Sequence, residues 1–130
     1  MKPALLLITL LWAMPSLAPA TESAAPAETR LPDALSDAER ADMVTAANAY
    51  SECLITEATR HDDEPDPRVI ADAAMGACDE RLQALGSLLT ALRLDPGYAE
   101  GFRRQTRDRA ARSLLGLIMQ VQGQKQLAPQ

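Results

Sequence analysis

The sequence predicts an all-α fold: a three-helix up-down-up bundle with one disulfide linking the first two helices. Three observations predict it. Apolar residues step by three and four on both sides of one acidic, proline-containing break, which is the period of an amphipathic helix. The only two cysteines, Cys53 and Cys78, sit on those two stripes and are centred on the break. Aromatic residues make up only 3% of the chain, so alanine and leucine must fill the interior, which favours closely approaching helices over a sheet.

The compartment follows from the N-terminus. Met1-Lys2 is a short positive region, Ala4 to Met14 is an apolar run, and Pro15 breaks it. Ala18-Pro19-Ala20 then supplies the small residues of a cleavage site. Residues 1–20 therefore read as a secretory signal peptide, cut before Thr21. The run is shorter than the roughly 20 residues a membrane span needs. In an oxidising compartment an even pair of cysteines is most simply one disulfide. The midpoint of positions 53 and 78 falls between Pro65 and Asp66, inside the break. Two antiparallel helices joined there bring the cysteines level, and an uneven loop shifts the register by only about 1.5 Å per residue.

Charge is unevenly spread. Without Lys2 the chain carries 12 basic against 18 acidic side chains. Residues 21–80 hold 4 basic and 15 acidic side chains, and residues 81–130 hold 8 basic and 3 acidic. The expectation is that the two halves pack together and neutralise each other in part. A bipolar surface that steers a charged partner is the functional counterpart.

Residues 21–35 are rich in alanine, proline and small polar side chains and read as a flexible linker. Residues 36–122 form the expected domain. Ser36-Asp37-Ala38-Glu39 fits a capping box, opening a first helix over 37–60. Its inward stripe is Met43, Ala46/Ala47, Tyr50, Cys53/Leu54 and Ala58. Its outer face is Glu39, Asp42, Thr45, Asn48, Glu52 and Thr56. Asp66 as N-cap with Pro67 behind it starts a second helix running to about Leu94. Ile70, Ala74, Cys78, Leu82, Leu85, Leu89 and Leu92 line it. Gly76 and Gly86 lie inside, each costing up to about 1 kcal/mol against alanine. Close helix contact or a break at Gly86 would account for them.

Ala91 to Phe102 (ALRLDPGYAEGF) resembles the junction between two tetratricopeptide repeats. The 34-residue period of that family is not visible, so the likeness is taken as shared turn chemistry. A third helix is expected over 98–122, with Phe102, Thr106, Ala110, Leu114, Leu117, Ile118 and Val121 inward. Residues 123–130 read as a frayed tail.

Chemistry-bearing patterns are sparse. Asp62, Glu64 and Asp66 alternate like calcium ligands, but Pro67 and Ala73 stand where an EF-hand needs Gly and Glu. His61 is the only histidine. His61, Asp62, Glu64 and Asp66 are thus weak metal candidates, and the acidic turn reads chiefly as a solvated helix cap. No Cys-x-x-Cys-His motif is present, which excludes covalent haem by that route, and no other cofactor is indicated. One turn-located histidine gives no support for a nucleophilic triad. Arg103, Arg104, Arg107 and Arg112 on the third helix are candidates for partner binding. An acidic exported chain without aromatic platforms does not read as a nucleic-acid binder. Contact with an anionic membrane surface is an open alternative that nothing in the sequence supports.

The Tyr50-x-x-Cys53-Leu54 and Ala77-Cys78 segments resemble those of small exported two-cysteine helical proteins of Gram-negative bacteria. The resemblance implies export and a disulfide but no activity. The expectation is a non-catalytic binding protein of the periplasm, acting on another protein as an inhibitor, immunity or chaperone-like module. The alternative is a small periplasmic enzyme or metal-binding protein using the acidic turn around His61.

Overall fold

Ser36 opens the first long helix by a reciprocal cap. The Glu39 amide donates to Ser36 Oγ at 3.1 Å, and the Ser36 amide donates to Glu39 Oε2 at 2.8 Å. Helix α1 then runs Asp37–Arg60. A computed structural model describes residues 28–128, and the expected signal peptide and the first part of the linker lie outside them. Within the described residues the chain is helical, with α2 at Pro67–Ala77, α3 at Asp79–Ala91 and α4 at Pro96–Leu127. A short 3-10 turn, Pro32–Ala34, precedes α1.

The second helix is where the expected three-helix count fails. Residues 67–94 make two helices, divided at Cys78 (φ −99°, ψ 7°) and not at Gly86. The apolar phase runs through the division: Ile70, Ala71 and Ala74 are buried on α2, and Leu82, Leu85 and Leu89 on α3. Periodicity alone therefore reads a single helix. Gly76, two residues upstream, weakens helix propensity at that point. At Gly86 an added Cβ would come into ordinary contact with Arg103 Cδ on α4, at 3.4 Å, so α4 passes close by without excluding a methyl group. No such neighbour exists at Gly76.

The Cys53–Cys78 disulfide is present, with Cα atoms 5.9 Å apart. Cys78 is fully buried, and the core around it includes Tyr50, Leu54, Leu85, Leu89 and Leu114. Burial of Met43, Tyr50, Leu54 and Ala58 matches the stripe expected of the first helix.

Asp95 caps α4 by accepting from the Tyr98 amide at 3.0 Å, with Pro96 in the first helical position. This is the turn chemistry that Leu94 to Gly97 suggests. The helix passes its expected end at Gln122 and continues to Leu127. Two side chains anchor its last turns, so residues 123–127 are helical and not a frayed tail. Gln122 Nε2 donates to the Glu64 carbonyl at 3.0 Å, and Lys125 Nζ pairs with Asp62 Oδ2 at 3.1 Å.

The described part of the linker, residues 28–35, is docked where a flexible tether was expected. The Arg30 amide donates to the Arg93 carbonyl at 2.7 Å, and the Asp95 amide donates to the Arg30 carbonyl at 3.0 Å. Leu35 is buried in the core. The Arg30 guanidinium grips Glu39 by both oxygens, at 2.8 and 2.9 Å. Those hydrogen bonds from Arg30, with the Ser36 amide, hold the Glu39 carboxyl down from 4.5 to about 2. A carboxyl lowered by folding stabilises the docked state above its unfolded pKa and loses that contribution as pH falls through the folded value. Residues 28–35 should therefore stay protected well below pH 4.5 and open toward pH 2. Hydrogen exchange of these residues during an acid titration reads it. In Glu39→Gln they should exchange fast even at neutral pH, and equal protection in that variant would refute the role given to the pair.

Candidate interaction surface

The acidic turn is occupied by its own structural work. Asp62 pairs with Lys125. Glu64 Oε1 accepts from the Asp66 amide at 3.1 Å, and Asp66 Oδ1 accepts from the Arg68 amide at 2.9 Å. Among the described residues no three His, Cys, Asp or Glu side chains gather as metal ligands would. His61 is exposed at the end of α1 and does not converge with the carboxylates.

The arginines of α4 do not bridge to the acidic first helix, as the charge split had suggested. The five ion pairs among the described residues are Arg30–Glu39, Arg40–Asp37, Arg60–Glu57, Arg103–Glu100 and Lys125–Asp62. Arg103 turns back on Glu100 one turn earlier in its own helix, at 2.9 Å. Arg104, Arg107 and Arg112 are exposed and make no ion pair with a described carboxylate. Arg103, Arg104 and Arg107 flank a shallow cleft between α3 and α4 that also holds Asp79 and Glu100. The Tyr50 hydroxyl faces this region. Burial pushes its pKa up, opposed by Arg107 and assisted by Asp79.

A largely apolar groove lies between α1 and α4. It measures about 400 Å³ and has a floor of Leu54, Ala110 and Leu114. Val44, Ile55, Phe102 and Leu117 form its walls, and Asn48, Ser51, Gln105, Arg109 and Ser113 its polar rim. A smaller apolar hollow continues it past Ile55 and Leu117 to Val121. Val44 is 56% exposed, Ile55 49%, and Leu117 and Val121 39% each. Leu117 and Val121 are thus not the buried stripe expected of them. Ala110, Leu114 and Ile118 carry that role.

The helices flanking the groove run parallel. Arg30 joins Glu39 in the first turn of α1 and Asp95 at the start of α4. At the other end Asp62, just past α1, joins Lys125 near the end of α4. Sequence reading missed the groove, although a signal was there. Val44 and Ile55 fit neither the inward stripe of the first helix nor its polar face.

Compared with known proteins, the chain matches no family model, no curated relative and no solved structure.

Proposed function

We propose that the chain is an exported, non-catalytic helical interaction module of the periplasm, of the inhibitor, immunity or chaperone-like kind. The observation that carries this reading is the groove between α1 and α4. It keeps large apolar side chains in water on a domain whose described core holds no buried charged side chain. Exposed apolar patches with polar rims mark sites where another molecule sits. The disulfide suits an oxidising compartment, and among the described residues no helix is long and apolar enough to cross a membrane. The likeness to small exported two-cysteine helical proteins belongs to the same reading. So does an up-down-up arrangement in which α2 and α3 act as one bent arm. The alternative at His61 has less to support it, because the surrounding carboxylates already cap helices or pair with Lys125.

Capture from a periplasmic extract tests the reading. The mature protein should retain a protein at a fixed stoichiometry, and Ile55→Asp should lose it while keeping its helical circular dichroism. Capture of the same proteins at the same yield by both forms would remove the groove from the interaction.

A further inference from the structure

We propose that the groove face is the contact surface for a second copy of this chain, the two related by a two-fold axis running along the groove. The proposal deepens the reading of this face as an interaction surface and rests on it. An isologous interface must be complementary to itself, since each residue meets the partner's version of its neighbour across the axis. The groove face has that property in both shape and charge.

Shape comes first. Apolar walls stand toward the two ends of the groove, Val44 and Phe102 at one and Ile55 and Leu117 at the other, and the small side chains Ala47, Ser51 and Ser113 lie between. Two such faces stacked along the groove would place α1 of one copy over α4 of the other. Because α1 and α4 are parallel, the axis sets each end of the groove against the same end of the partner subunit's. Ile55 and Leu117 then meet the same pair of the partner subunit, and a four-helix core closes over side chains now in water.

Charge then fixes the pairing. The rim contributed by α4 is net cationic: Arg109 lines the groove, and exposed Arg112 follows one turn later on the adjoining flank, which it shares with Arg104 and a single carboxylate, Asp108. The rim contributed by α1 is not. It carries Asn48 and, one turn on, exposed Glu52. The Asp62–Lys125 contact sets the relative level of the two helices. On that register Glu52 stands within about one helical turn of Arg112, an offset of roughly 4.5 Å that an arginine side chain spans. Across the two-fold axis Glu52 therefore faces the partner subunit's Arg112, and Asn48 faces the partner subunit's Arg109. The same contacts repeat on the other side. The alternative two-fold, perpendicular to the helices, lays α4 on α4 and sets the arginine rims against each other, which like-charge repulsion disfavours.

Sedimentation equilibrium of the mature protein, taken up to about 100 μM to include weak interfaces, decides it. The expected result is a reversible doubling of mass. Ile55→Asp and Leu117→Asp should each sediment as monomers with unchanged circular dichroism. Arg112→Glu should weaken the dimer, and adding Glu52→Arg in the same chain should restore it, since the swapped charges again meet across the axis. A parent that stays monomeric over the whole range overturns the proposal. So does a dimer that persists in both aspartate variants, because the copies would then meet elsewhere. Either failure leaves the groove's binding role to be decided by capture of a different protein.

Discussion

Leu114→Ala should lower the stability of the domain by about 2–5 kcal/mol, the cost of deleting a buried leucine and leaving a cavity. Leu114 is 2% exposed and lies on the inner face of α4. It belongs to the same cluster as Tyr50, Leu54 and Ala110, so its side chain has no solvent to relax into. For a domain of this size each kcal/mol moves the melting temperature by about 4–8 °C. Leu117→Ala is the control. Leu117 is 39% exposed on the groove wall, so its truncation removes less buried area and should lower the melting temperature clearly less than Leu114→Ala does. Thermal melts of both variants under conditions where the chain is monomeric make the comparison. Equal losses would mean that Leu117 is covered in solution. An unperturbed Leu114→Ala would mean that α4 does not dock on its inner face.

The contrast between these two leucines also shows where the sequence was legible. Period and capping chemistry placed α1 closely: Ser36, Glu39, Met43, Tyr50, Leu54 and Ala58 all do what their spacing implies. The disulfide was legible for the same reason, since two stripes and one break fix which faces meet. The division at Cys78 was not, because the buried positions keep one helical phase from Ile70 to Leu89 while the backbone steps out of it. On α4 the apolar residues cover a wider arc than the core can use. Period alone cannot say which side of that arc is buried. Packing against α1, α2 and α3 chose Ala110, Leu114 and Ile118 and left Leu117 and Val121 at the groove. The docking of residues 28–35 was hidden for another reason. Arg30 sits in an alanine- and proline-rich segment whose composition reads as a tether. Its partners are a carboxylate nine residues on and a backbone turn near Leu94. No local pattern announces such contacts. The neutralisation between halves expected from net charge is met among the described residues by one pair, Lys125–Asp62, because charge totals do not specify faces. Arg103 found a nearer carboxylate in its own helix.

Removing the cross-link should have an effect of similar size to losing Leu114. Cys53 and Cys78 are 25 residues apart, and closing such a loop should stabilise the fold by roughly 3–4 kcal/mol on the chain-entropy model. Cys53→Ala combined with Cys78→Ala is the appropriate variant. Serine at the fully buried Cys78 would add an unpaired hydroxyl to the loss of the bond. The double variant should keep its helical content, because α1 and α2 carry their own caps at Ser36 and Asp66. Its melting temperature should fall on the order of 15–25 °C. The loss should also have a local component. Cys78 is where α2 gives way to α3, and the bond holds that irregular residue against α1. Amide exchange around Gly76 to Arg81 should therefore rise more than exchange in the middle of α1. Chemically reduced parent should melt with the double variant. If the reduced parent instead melts with the oxidised form, packing alone holds α2 and α3 on α1. If exchange rises evenly along the chain, the bond acts only on the unfolded state and leaves the division at Cys78 to the core around it.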